Sequence, residues 1–279
     1  MDTVPPLACS VRDCGVPLAR RERTFVCSGG HSFDVARSGY INLLQPQDRR
    51  SAHAGDSKAA VEARAALELA GIGRALVDLV VEKVLALDSA PNAVIVDLGS
   101  GTGETLGRLC ASGLPPGIGI DLSVAASDFA ARRFPSLTWV VGNADRRLPL
   151  RDGSVNVVLS IHGRRNPLEC ARVLDGDGCL LIALPAPDDL IELRALVQGQ
   201  GLERDRVDVM LQEHEPYFQP VARFQSRHRL TLGREALSNL LRGTYRGARF
   251  RLSARVETMP PMEVTLSSEI CLLKRSMST

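Results

Sequence analysis

Long apolar runs are missing from this chain of 279 residues. Nothing approaches the roughly 20 consecutive apolar residues that a helix needs to cross a bilayer, so no membrane partner is expected. The first ten residues, MDTVPPLACS, have neither a basic start nor an apolar centre. That argues against a secretory leader and for a cytoplasmic protein. Excess charge is missing as well: 34 Lys+Arg against 32 Asp+Glu leave a net +2, too little by itself to indicate a nucleic-acid partner. Internal repeats and low-complexity tracts are not evident. What remains, 44% hydrophobic and 24% charged, is an ordinary globular composition, long enough for one large or two modest domains.

One further absence is informative. The stretch VIVDLGSGTGETL, Val94 to Leu106, reads as a β-branched strand, an acid, three alternating glycines and a helix start. A dinucleotide loop requires G-x-G-x-x-G. Counted from Gly99 the last position is Glu104, and from Gly101 it is Leu106, so the pattern fails both ways while G-x-G-x-G holds. Gly99, Gly101 and Gly103 allow a sharp turn and close approach of a ligand to the backbone. Asp97 ends the first strand and Asp121 ends the next, GIGID, where an acid can accept hydrogen bonds from both ribose hydroxyls. The bland alternative is three ordinary turn glycines, with Asp121 capping a helix before Leu122. The sharper reading is a nucleoside cofactor gripped without a pyrophosphate.

The seven cysteines divide unevenly. Cys110, Cys170, Cys179 and Cys271 each stand alone in apolar stretches and read as small core residues in a reducing compartment. Cys9, Cys14 and Cys27 are followed closely by His31, in the pattern C-x4-C, twelve residues, C-x3-H. Two such pairs joined by a hairpin place three thiolates and an imidazole around a tetrahedral Zn2+. Four protein ligands leave no open position, so the ion would be structural, and a module this small needs it to fold. The alternative is a Cys9–Cys14 disulfide beside an unrelated histidine, which a reducing compartment disfavours.

The loop Asp97-Leu98-Gly99-Ser100-Gly101-Thr102-Gly103, with Gly119-Ile120-Asp121 and Gly142-Asn143-Ala144-Asp145, resembles the class I S-adenosylmethionine-dependent methyltransferases. The resemblance implies an α/β fold, Rossmann-like with a mostly parallel sheet. It places Asp145, or the backbone beside it, at the adenine edge. Added to these, the cysteine module and the segment His31-Ser32-Phe33-Asp34-Val35-Ala36 through Gly39 to Leu44 make the whole chain similar to the RlmA family of 23S rRNA guanine-N1 methyltransferases, in the branch that includes tylosin-resistance enzymes. The resemblance implies Zn2+ on Cys9, Cys14, Cys27 and His31, and S-adenosylmethionine on Ser100, Gly101 and Asp121. It implies peripheral cofactor contacts near Gly73 and on Asp189, where residue types differ from some relatives. It also implies a 23S rRNA stem-loop of domain II near the macrolide site as substrate, and a homodimer. The first cysteine pair is more widely spaced than is usual there, and Arg242-Gly243-Thr244-Tyr245-Arg246 replaces a Met-Thr-Pro segment found in many relatives.

The expected organisation is a zinc ribbon over residues 1–45, a linker over 46–57 and a methyltransferase domain over 58–279. Lys58 to Leu87 has helix-forming composition, Asp175 to Gly178 reads as a helix-to-strand turn, and Arg249–Glu257 and Ile270–Leu273 read as closing strands. Guanine N1 carries a proton that must leave, so a base or polarising group is required. His162, just after the fourth strand, is the expected catalytic residue, with Asp145, His214 and Glu215 as other candidates; a plain surface histidine is the competing reading. Tyr217, Phe218 and Tyr245 are candidates for stacking on an extruded base. Arginines cluster at 20–23, 49–50, 223–229 and 246–255. Two other functions fit the motifs: a small-molecule methyltransferase with an appended ribbon, or a non-catalytic RNA-binding protein.

Overall fold

A computed structural model describes residues 5–46, 55–87, 92–198, 206–244 and 260–276. The chain opens with a three-stranded antiparallel sheet of β1 (Leu18–Arg21), β2 (Thr24–Cys27) and β3 (Ser32–Asp34). β4 (Ile41–Asn42), helices α1 (Lys58–Leu69) and α2 (Arg74–Leu85), then β5 (Ile95–Leu98) follow. The alternation continues through α3 (Glu104–Ala111), β6 (Ile118–Asp121), α4 (Val124–Arg133), β7 (Thr138–Val141), β8 (Val155–Ile161), α5 (Pro167–Val173) and β9 (Leu174–Pro185). Last come α6 (Ile191–Gln198), α7 (Val207–His214), β10 (Phe218–Leu232), α8 (Arg234–Thr244) and β11 (Met262–Arg275).

The large sheet has the order β10-β11-β9-β8-β5-β6-β7-β4. Strands β4 to β9 pair in parallel, and β11 and β10 join antiparallel. This is the mostly parallel α/β sheet that the sequence predicts. The central strands Ile95–Leu98 and Val155–Ile161 are almost wholly buried, as helices on both faces require. The ribbon is stitched to this sheet. Ile41 and Asn42 pair with Val140 and Val141, Leu7 bridges Leu150, and Ala8 N–H donates to the Pro149 carbonyl at 2.9 Å. One apolar cluster therefore runs from Leu7, Leu18 and Phe25 through Ile41 and Leu43 to Val140 and Leu150.

Several elements depart from the sequence reading. Lys58 to Leu87 forms two helices, because Gly71 and Gly73 take left-handed φ of 76° and 87° between them. Asp175 to Gly178 lie within β9, where Val155 pairs with Leu174 and Val157 with Cys179, so the extra residues bulge out. Phe218 is 2% exposed in the core at the start of β10 and is not a stacking platform. Tyr217 packs against the same core. Tyr245, the Arg49–Arg50 pair, the arginines of 246–255 and the proposed strand at Arg249–Glu257 lie outside the described residues. Among the described residues no helix is long and apolar enough to cross a membrane.

Candidate cofactor and metal sites

β5 lies between β6, which follows it directly, and β8, so the chain reverses its direction of addition there. Ligands of open α/β sheets bind at the carboxyl ends of strands at such a switch point. Two loops meet at that end. Gly99 follows β5 with φ 75°, and a Cβ on it would stand 3.1 Å from the Gly163 Cα of the loop after β8. Gly99 is exposed and Ser100 half-buried, so the loop faces open space. Gly103 caps α3 at φ 81°.

Asp121 shapes this loop. Its Oδ2 accepts the Gly101 N–H at 2.9 Å and its Oδ1 the Ser123 N–H at 2.7 Å. Each oxygen keeps a second lone pair for a ligand hydroxyl. Asp97 is 2% exposed and its Oδ1 has no hydrogen-bond partner. Burial, and then the neighbouring Asp121 charge, push its pKa up to about 7. An orphaned buried carboxylate oxygen at the strand end is what a cofactor bearing hydroxyl and cationic groups would satisfy. Because a ligand donor favours the ionised carboxyl, S-adenosylmethionine affinity is expected to rise as pH increases toward 7 and then to level off. Calorimetric titrations across pH 5.5–8 measure this. Asp97→Asn should bind more weakly with a flat profile, and a sloping profile in that variant would sink the assignment.

The other expected cofactor residues are distributed around this end. Asp145 follows β7 and takes an ion pair from Arg164 Nη1 at 2.9 Å, which ties the loops after β7 and β8 together. Asp189 lies between β9 and α6, where Oδ1 accepts the Ser267 N–H at 2.9 Å. Burial raises its pKa to about 6. Gly73 is the exposed residue before α2, and a Cβ on it would meet nothing within 4 Å.

His162 stands at the end of β8 with a left-handed φ of 53°. Backbone strain of this kind, in a residue other than glycine, is typical of functional loops. The residue is exposed, and Nε2 lies 2.9 Å from Ser268 Oγ on β11. Desolvation of the ring, with the charges of Arg206 and Arg64, lowers its pKa to about 4. It is therefore neutral at pH 7, a hydrogen-bonding group and a weak base. His214 is 1% exposed, with Nδ1 held by the Met210 carbonyl at 2.7 Å, and is a core residue away from solvent. Sequence reasoning missed Gly163, Ser268, Asp56 and Arg64. Gly163 could have been suspected from its place after His162; the others become neighbours only through tertiary structure.

The metal site is compact. Sγ of Cys9, Cys14 and Cys27 and a ring nitrogen of His31 all lie within 4.8 Å of one another. Cys14 and Cys27 Sγ are 3.9 Å apart, and His31 Nδ1 is 3.5 Å from Cys9 Sγ and 3.4 Å from Cys27 Sγ. Tetrahedral zinc with Zn–S of about 2.3 Å sets its sulfurs ~3.8 Å apart, so the quartet fits the ion with Nδ1 as the fourth ligand. It does not form a disulfide: all seven cysteines are free.

Comparisons with known proteins find the same two domain types. Residues 8–52 match the family model of the RlmA N-terminal zinc ribbon, and residues 95–178 match a methyltransferase domain. The chain is 36% identical over 264 residues to the 23S rRNA (guanine(748)-N(1))-methyltransferase of Streptomyces fradiae, covering 91% of this chain and 92% of that one. It is 34% identical to a Micromonospora griseorubida protein named as a candidate 23S rRNA (guanine-N(1)-)-methyltransferase, covering 95% of each. Among solved structures, a candidate methyltransferase of Bacillus halodurans superposes with TM-score 0.50 at 16% identity, covering 70% of this chain and 97% of that one, which speaks to fold alone. With glycine loop, zinc quartet and near full-length likeness together, the chain belongs to the S-adenosylmethionine-dependent 23S rRNA (guanine-N1)-methyltransferases that carry an RlmA-type zinc ribbon.

Proposed function

We propose that the protein methylates N1 of a guanosine in a domain II stem-loop of 23S rRNA, near the macrolide site, and thereby contributes to tylosin and macrolide resistance. The observation that carries this reading is the near full-length likeness to the Streptomyces fradiae enzyme, whose name specifies guanine 748 and N1. The division of labour we infer is RNA recognition by residues 1–45, a linker over 46–57 and catalysis by 58–279, in a homodimer whose two ribbons share one RNA. Ribbon arginines support the first part: Arg12, Arg20 and Arg21 are exposed, and Arg147 from the loop after β7 approaches the ribbon at Gly15. Arg223, Arg227 and Arg229 are less available, since each pairs with a carboxylate: Glu269, Asp188 and Glu263.

S-adenosylmethionine supplies an activated methyl group, so the protein's task is to orient the base and handle the N1 proton. Asp97, Gly99, Ser100, Gly101, Gly103 and Asp121 form the proposed cofactor cradle, with Asp145, Asp189 and Gly73 more peripheral, and Cys9, Cys14, Cys27 and His31 hold the zinc. Neutral His162, fixed by Ser268, is suited to hydrogen-bond the base edge. His162→Ala is expected to lower kcat on rRNA about a hundredfold, within the usual range for such groups, while leaving S-adenosylmethionine affinity unchanged. Unchanged turnover would remove His162 from the reaction.

The substrate is tested by incubating the protein with labelled S-adenosylmethionine and either deproteinised 23S rRNA or a metabolite pool. Primer extension then locates the base, because N1 methylation blocks pairing. Label confined to metabolites would refute the rRNA reading. The resistance reading requires that expression raise tylosin tolerance, alone or beside a second rRNA methylation.

A further inference from the structure

A guanidinium stands against the glycine loop. Arg64 projects from the middle of α1 and is about one-third exposed, while its partner Asp56 is nearly buried. Its bonds to Asp56 Oδ2, at 2.5 Å, and to the Gly243 carbonyl, at 3.1 Å, both leave from Nη2. Nη1 faces the loop instead, 3.3 Å from the point where a Cβ on Gly101 would stand. Gly101 has already given its N–H to Asp121. Burial raises the pKa of Asp121, and the Arg64 charge works against that rise, as an attraction between cation and carboxylate requires.

The charges of the cofactor decide what this cation is for. S-adenosylmethionine carries two positive groups, the sulfonium and the ammonium, and one negative group, the α-carboxylate. The acids at this end of the sheet, Asp97 and Asp121, suit the positive groups and the ribose hydroxyls. The carboxylate requires a donor of opposite charge, and the Arg64 side chain reaches the loop. An arginine fork held by one terminal nitrogen still presents donors in a fixed plane. Ser123 Oγ donates to the Asp56 carbonyl at 2.6 Å, so the residue that holds Arg64 is itself tied to the loop after β6.

The geometry points to Arg64 as the residue that binds the α-carboxylate of S-adenosylmethionine, with Asp56 as the positioning residue that fixes the guanidinium. The inference concerns the cofactor alone and stands whether or not the rRNA target is correct.

The test is calorimetric titration of the full-length, zinc-loaded protein with S-adenosylmethionine and with decarboxylated S-adenosylmethionine, without RNA. The wild type should prefer the complete cofactor by about ten- to hundredfold, the range of one charge-assisted contact. Arg64→Met should abolish that preference while leaving the affinity for the decarboxylated ligand within about threefold, as expected when only the charge contact is lost. Arg64→Lys should keep part of the preference, and Asp56→Asn should reduce it. If Arg64→Met does not fold, the last two variants carry the test. Equal loss for both ligands would mean a structural role and overturn the proposal, as would a wild type indifferent to the carboxylate.

Discussion

Stripping the zinc, or replacing Cys27 with serine, is expected to unfold the ribbon and to weaken S-adenosylmethionine binding several-fold, even with no RNA present. The first effect follows from size. Strands of four, four and three residues bury few side chains, and the metal stands in for a core. Apparent binding free energies of structural zinc in small fingers are about 10–16 kcal/mol, far above what any single pocket residue contributes. The second effect follows from the stitching. Cys9 comes directly after Ala8, whose N–H holds Pro149, and Arg151 N–H holds the Pro6 carbonyl at 3.0 Å. Pro149 and Arg151 end the segment after β7 that carries Asn143 and Asp145 at the carboxyl end of the sheet. Loss of the metal frees the strand that braces this loop. Zinc content by a colorimetric chelator, thermal melting and cofactor affinity measured on the same samples decide the matter. Unchanged cofactor affinity after complete zinc removal would show that the two sites are independent.

Gly163→Ala is expected to lower S-adenosylmethionine affinity at least about a hundredfold, at a stability cost of only about 1–3 kcal/mol, as for other overpacked positions. A Cβ there would stand 2.3 Å from the Leu98 carbonyl oxygen. That oxygen belongs to β5, which is paired with β6 on one side and β8 on the other and has nowhere to go. The loop after β8 must move instead, taking with it the contact with Gly99 and the placement of His162. Gly176→Ala is the control, because a Cβ there meets nothing within 4 Å. Cofactor affinity and melting temperature for both variants separate pocket distortion from general instability. A Gly163→Ala protein that binds like the wild type would show that the two loops do not shape the pocket jointly.

What could be read from the sequence was local. The glycine loop, the acid at the end of GIGID and the zinc quartet lie within short spans, where spacing constrains geometry directly. β10 was invisible for a physical reason: of its fifteen residues only Phe218, Ser226 and Leu232 are buried, so no two-residue period emerges. Phe218 opens the same strand, and its aromatic ring, a stacking candidate by sequence, serves the core. His162 was legible from strand order, but Ser268 is 106 positions away and joins it only when β11 packs beside β9. Asp56 and Arg64 read as a linker end and a helix residue. Their meaning arises from the Gly101 backbone that α1 is folded against.

The two-residue strand β4 has a consequence for solubility. Apart from it, β7 would end the sheet, and the backbone of Thr138-Trp139-Val140-Val141 would offer open hydrogen-bonding groups along an apolar segment. Such an edge invites pairing with another chain, and very short outer strands are one way proteins deny it. Ile41 and Asn42 therefore act as a selvedge. A ribbon that lost its metal would fray that border, turning a local unfolding into a tendency to self-associate.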